Sequence, residues 1–320
     1  MIILVILVIA LILIGVFFLA ITFGGPKQPP TMNSINEPFN SIDFSDMPEP
    51  VIHTARDGTT LAYRAYLAPD RTHQGSVILV HGSSASGASM HILAKEFAKS
   101  SFCAYALDIR GHGESSIKGK IDYIGQLEDD LEDFLRSIKP LQPTTLIGFS
   151  SGGGFALRFA ASSRQRMFSN YVLLAPFMGQ RAPTYRPNAG GWVNVGVMRS
   201  IAIAILNGFG INAFNDLPVI KFALNEEART SLTPEYPFLL AQNFGPHRNY
   251  RSDVAAIEQP TQVIVGEKDE VFDAHQYLPV FDGAKMNIPV AVIPEIGHID
   301  LTLDQAAIDI VIDKVKLFHN

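Results

Sequence analysis

Hydrophobic and polar positions divide the chain into three stretches. Residues 1–23 form an apolar run without one charged side chain, long enough to cross a bilayer as a helix. Residues 24–50 are rich in Pro, Asn and Ser and keep little periodicity, which predicts a linker that can be partly ordered against the domain. From residue 51 the pattern changes to short apolar runs alternating with helical spacing. Runs at 51–55 and 60–66 flank Asp57-Gly58, a hairpin signal. Further runs at 76–81, 102–109, 144–149, 171–175, 261–265 and 290–293 read as buried strands. Helices are expected at 90–99, 274–281 and 302–317. Ile124, Leu127, Leu131, Leu135 and Ile138 recur at helical spacing, with carboxylates on the other face. An opening hairpin followed by repeated strand–helix units predicts an α/β fold with a mostly parallel, doubly wound sheet.

Composition narrows the partners. At 320 residues the chain can bury one large core plus a modest insertion. A net charge of −6 without a basic cluster argues against nucleic acid. Cys103 is the single cysteine and lies in an apolar run, which predicts a buried thiol and excludes an internal disulfide. No Lys or Arg precedes the first apolar run, and its one cleavage-like site is Thr22-Phe23-Gly24. Both features favour a retained single-pass membrane anchor over a cleaved signal peptide, which would leave a secreted or periplasmic protein. Lys27 is the sole nearby charge and sets orientation weakly.

The chemistry starts at Gly148-Phe149-Ser150-Ser151-Gly152, between an apolar run and a helical pattern. This fits G-x-S-x-G, a strand-to-helix turn that exposes a nucleophilic serine. The residues two before and two after that serine must be small, so that strand and helix can approach. Ser150 meets this requirement through Gly148 and Gly152. Centring on Ser151 would put Phe149 where a glycine is needed.

A serine nucleophile needs an imidazole base and a carboxylate that orients it. On a doubly wound sheet both belong in loops at the C-terminal strand ends, in the order Ser, acid, His. "GEKDEVF" after the 261–265 run supplies Asp269, and "PEIGHIDL" after the 290–293 run supplies His298. Glu267 is the chief substitute for the acid, with Glu270 and Asp273 also near. A lone loop histidine is more often a surface residue; the coincidence of three groups in the required order argues for function. Two backbone N–H groups must face the developing oxyanion. Ser151 supplies one, and the loop opening His81-Gly82-Ser83 supplies the other from Ser83, with Ser84 as alternate.

These residues resemble the α/β-hydrolase superfamily, in its branch of monoacylglycerol lipases, lysophospholipases and serine aminopeptidase-like enzymes. The marks are "HGSSAS" at His81, "DIRGHGES" from Asp108 to Ser115, "GFSSGG", "GEKD" and the "GH" of Gly297-His298. The resemblance runs from about residue 51 to the C-terminus, which places an α/β-hydrolase domain at 51–320. It implies a helical cap inserted at about 178–250, where the strand–helix rhythm stops. It also implies cofactor-free, metal-free hydrolysis of an ester, thioester or amide, with Arg110 and His112 structural. Epoxide hydrolases and haloalkane dehalogenases are excluded, because they need an aspartate at the Ser150 position. An apolar cap and a membrane anchor both favour single-acyl-chain lipids or small apolar esters as substrate. Thioesterase, aminopeptidase and acyltransferase activities remain open, and a non-catalytic binding protein of this fold is the alternative from another class.

Overall fold

The computed structural model of the protein describes residues 2–68, 73–282, 284 and 286–319. The hairpin forms at its expected place. β1 (Val51–Thr54) pairs antiparallel with β2 (Thr60–Tyr66), and Gly58 turns between them at φ 84°. The next strands are β3 (Ser76–Val80), β4 (Cys103–Leu107), β5 (Thr144–Phe149) and β6 (Asn170–Leu174). All four are buried along their whole length, as parallel strands covered by helices on both faces must be. Three antiparallel strands follow in the insertion: β7 (Val193–Val195), β8 (Pro218–Phe222) and β9 (Glu235–Pro237). β10 (Thr261–Gly266) and β11 (Val290–Ile293) complete the main sheet. Its order is β1-β2-β4-β3-β5-β6-β10-β11, parallel from β4 to β11.

Three details differ from the sequence pattern. The helix expected around residue 124 starts later, at Gln126–Ile138, and Ile124 stays exposed before it. On that helix Glu128 and Asp130 are not solvated: each is buried against an arginine. Asp130 takes two bonds from Arg110, at 2.6 and 2.7 Å, and Glu128 takes one from Arg158. The final helix is two pieces, Asp300–Leu303 and Gln305–His319. Asp304 separates them with extended backbone, and its carboxylate accepts the Ala307 N–H at 3.0 Å, starting the second helix as an N-cap.

The insertion holds helices, among them Val197–Gly208, Glu226–Ser231 and Phe238–Asn243, plus the β7–β9 sheet. Strands of three to five residues are too short to show clear alternation in sequence, so only the helical part of the cap was legible. Trp192, Phe222, Tyr236 and Phe244 are buried in it, while Phe209 is 79% exposed.

The N-terminal run is a helix, Ile2–Phe23, of mean hydropathy 3.6 over its best window. Length and composition suit a membrane span, and a signal sequence would pass the same test. Its last carbonyls lack helical partners. Arg199 of the cap donates to Ile21 O at 2.8 Å and to Thr22 O at 3.1 Å. Residues 27–36 then run along the cap as a bound strap: Gln28 Nε2 donates to Phe222 O at 2.8 Å, and Met32 N to Ala223 O at 2.9 Å.

Candidate active site

Ser150 follows β5 directly and precedes the Ser151–Ala160 helix, with φ 55° and ψ −116°. Positive φ on a residue with a Cβ is strained, and neighbouring bonds hold it. Ser150 N donates to Leu174 O at 2.9 Å, while Ser150 O accepts from Phe177 N at 2.9 Å and Gly154 N at 3.0 Å. Both flanking glycines are sterically required. A Cβ on Gly148 would run into Gly152 O, and one on Gly152 into the carbonyls of Val80 and His81.

The structure brings Ser150, His298 and Asp269 together. His298 Nε2 lies 3.1 Å from Ser150 Oγ, and His298 Nδ1 lies 2.7 Å from Asp269 Oδ2. A carboxylate can only accept, so Nδ1 carries the proton and Nε2 is left with its lone pair toward the serine. Asp269 is itself fixed: its Oδ1 accepts the N–H groups of Val271 and Phe272, each at 2.8 Å. The His298 ring sits between Phe149 and Phe272, at centroid distances of 4.7 and 5.3 Å. Far from being a surface residue, it is 3% exposed.

The competing carboxylates are engaged elsewhere. Glu267 accepts from Glu295 N at 3.4 Å, and Asp273 accepts from His275 N at 3.1 Å. Glu270 reaches His298, but at its backbone N–H, 3.0 Å away, where it positions the chain and not the ring. No sequence signal separated that role from that of Asp269.

The loop after β3 distinguishes Ser83 from Ser84. The N–H of Ser84 donates to Tyr236 Oη at 2.6 Å and so is already used. Ser83 lines the pocket beside Ser150, and its Oγ accepts from Trp192 Nε1 at 2.9 Å. Ser83 lines both cavities that reach Ser150, and Ser151, at the first turn of its helix, lines the smaller one. Among the described residues no three His, Cys, Asp or Glu side chains converge as metal ligands.

The side chains of the D-x-R-G-H-G-x-S segment support these loops. Asp108 accepts from Gly87 N at 2.6 Å and Glu114 N at 2.9 Å. His112 Nδ1 faces the carbonyls of Ile109 and Arg110 and so carries the proton, which leaves its Nε2 to accept from Tyr236 Oη, 2.6 Å away. His81 Nδ1 donates to Gly82 O at 2.7 Å, and its Nε2 accepts Ile109 N–H at 3.2 Å. Both imidazoles must be neutral for these bonds.

Burial pushes the His112 imidazole well below its ordinary value, helped by the neighbouring His81, and burial lowers His81 too. In the unfolded chain both titrate near 6.5. The unfolded state therefore binds more protons below about that pH, and stability is full above it and lost as pH falls. Thermal unfolding from pH 8 to pH 5 should show Tm dropping below about pH 6.5. His112→Gln should flatten that slope; an unchanged slope would mean that His112 does not contribute.

Two cavities meet at Ser150. The larger, about 340 Å³, is lined by Ser83, Ser150, His298, Leu224 and Leu232, and by Ile35, Phe39 and Phe44 of the strap. The smaller, about 50 Å³, lies toward Ser151, Phe177, Tyr185 and Phe272. Trp192 borders both. The strap's presence at the site was not legible in an irregular, polar stretch.

Comparison with known proteins agrees with this architecture. The family profile described as "Serine aminopeptidase, S33" matches residues 71–302. A monoacylglycerol lipase of Mycolicibacterium smegmatis is 32% identical over 110 residues, 32% of this chain and 38% of that protein. Protein ABHD14A of Rattus norvegicus is 25% identical over 171 residues, 52% of this chain and 66% of that protein. The chain thus spans less than two thirds of either relative. A soluble variant of Saccharomyces cerevisiae monoglyceride lipase, solved with a substrate analogue, superposes with TM-score 0.61 at 16% identity, over 86% of this chain and 95% of that one. At that identity the likeness shows the α/β-hydrolase fold alone.

Proposed function

The chain belongs to the serine aminopeptidase S33 family of α/β hydrolases, and from that premise we propose a membrane-anchored serine hydrolase that cleaves carboxylic esters, those of single-acyl-chain lipids or small apolar esters. The observation that carries this reading is the relay from Asp269 through His298 to Ser150, at 2.7 and 3.1 Å, at the meeting point of two cavities.

The reaction follows from the geometry. Ser150 Oγ attacks the ester carbonyl while His298 Nε2 takes its proton, and Asp269 stabilises the imidazolium. The carbonyl oxygen, now negative, lies between the N–H groups of Ser83 and Ser151; one such donor typically contributes on the order of 3 kcal/mol. Collapse of the intermediate breaks the C–O bond, and His298 gives its proton to the leaving alcohol. Water then attacks the acyl-Ser150 carbonyl with His298 again as base, releasing the acid and restoring the serine. Every step uses groups of this chain and water.

The larger cavity favours esters. Ile35, Phe39, Phe44, Leu224 and Leu232 give it apolar walls, and the carboxylate in its lining, Glu227, belongs to an exposed residue. An aminopeptidase substrate would bring a charged amine that such walls desolvate without a buried partner. Attachment to a membrane is consistent with the Ile2–Phe23 helix and with the cap beside it. The Val197–Gly208 helix holds Arg199 on the end of the span and exposes Val197, Met198, Ile201 and Ile205. Such a face suits the bilayer surface, where single-chain lipids are presented.

Carbonate-washed membranes carrying the full-length protein test both parts. They should hydrolyse monoacylglycerols and p-nitrophenyl esters, with aminoacyl p-nitroanilides at least about 100-fold slower. Activity recovered in the supernatant would overturn the anchor; a preference for the anilides would overturn the ester reading in favour of an aminopeptidase.

A further inference from the structure

The strap between the N-terminal helix and β1 lies before residue 71, where the family match begins, so no family relationship assigns it a role. It is nevertheless built into the site. On the cap side Asn36 acts as a strand partner: its Nδ2 donates to Ala223 O at 3.0 Å, and its Oδ1 accepts Asn225 N–H at 3.2 Å. On the other side Asp46 pairs with Lys95 and lies 3.2 Å from His91 Nε2. The segment around and between these two attachments lines the larger cavity with Ile35, Phe39, Asn40 and Phe44. Ile35 is 8% exposed and packs into the main core.

We propose that this strap is the distal wall of the acyl site, and that Phe39 with Ile35 selects long acyl chains over short ones. The inference rests on the ester-hydrolase reading above and deepens it. Two cavities meet at Ser150, and their volumes, about 340 and about 50 Å³, assign the acyl chain to the larger. A two-carbon acyl group fills only the space next to the serine that carries it. A twelve-carbon chain must run on between the cap and the strap, where apolar contact with Phe39 replaces water. A chain segment continuous with the membrane helix thereby also measures the lipid.

The test compares p-nitrophenyl acetate with p-nitrophenyl dodecanoate on full-length protein in detergent. Phe39→Ala and Ile35→Ala should lower the dodecanoate-to-acetate ratio of kcat/KM at least about fivefold, because one apolar contact in such a pocket commonly carries that much discrimination. Ile117→Ala, an exposed apolar change outside both cavities, should leave the ratio unchanged. A second readout needs no turnover. Trp192 is the only tryptophan and borders both cavities, so its fluorescence reports occupancy. In a Ser150→Ala background, 1-dodecanoylglycerol should shift it, and Phe39→Ala should raise the midpoint at least about fivefold. If the ratio and the midpoint both stay within about twofold of the parent proteins, the strap does not select the chain. A wild-type protein that turns over neither ester instead overturns the hydrolase reading itself, a result distinct from the first.

Discussion

Ser150→Ala is expected to lower kcat on p-nitrophenyl esters by at least about a thousandfold while the protein stays folded. On the proposed mechanism the loss is large because the acyl-enzyme forms on Ser150, and the residual rate comes from binding and the oxyanion donors alone. The fold survives because, among the described residues, Ser150 Oγ bonds the His298 ring at 3.1 Å and nothing else, and its backbone bonds do not involve the side chain. Alanine also carries the same Cβ at φ 55°, so the turn's strain is unchanged. Ser151→Ala should be mild, within about tenfold, since that residue acts through its N–H. Steady-state rates with fluorophosphonate labelling check the pair. Labelling lost in Ser151→Ala and kept in Ser150→Ala would move the nucleophile by one residue.

The difference between those two serines was readable before any coordinates, because close packing leaves a trace in sequence. Gly148 and Gly152 are glycines for a reason that backbone contact makes plain: their missing Cβ atoms would overlap main-chain carbonyls. Parallel strands buried on both faces likewise announce themselves as apolar runs, and β3 to β6 and β10 lie within a residue or two of where the runs predict them. The candidate acid and base, Asp269 and His298, were found by their places past β10 and β11, and the structure sets them 2.7 Å apart. Features built from backbone bonds and from irregular chain left no comparable trace. The strap docks through Asn36 and main-chain groups around Ala223, and nothing in "TMNSINEPFN" distinguishes a docked segment from a linker. The use of the Ser84 N–H by Tyr236 depends on a contact 152 residues away in sequence. Glu128 and Asp130 read as solvated because periodicity assigns a face but not a partner, and their arginines come from other elements.

Asp269→Asn is expected to reduce kcat about 10⁴-fold, through the tautomer of His298 and not through loss of the nucleophile. The side chain is buried and has two jobs on two oxygens. Oδ1 accepts from Val271 N and Phe272 N, and Oδ2 accepts from His298 Nδ1. In an asparagine the carbonyl oxygen satisfies the two backbone donors, since an NH₂ group there would face N–H groups and leave them unpaired in a buried site. The amide nitrogen is then forced toward His298 and must donate to Nδ1. The imidazole answers by carrying its proton on Nε2, which points at Ser150 and can no longer accept the hydroxyl proton. Geometry is kept and the base is lost. Glu270 cannot substitute, because its carboxylate is committed to the His298 main-chain N–H at 3.0 Å. Three readouts separate this account from simple misfolding: an unchanged circular dichroism spectrum, an unchanged KM, and recovery of rate at high pH, where hydroxide replaces the lost base. A variant that keeps more than about a tenth of wild-type kcat would show that another group orients His298.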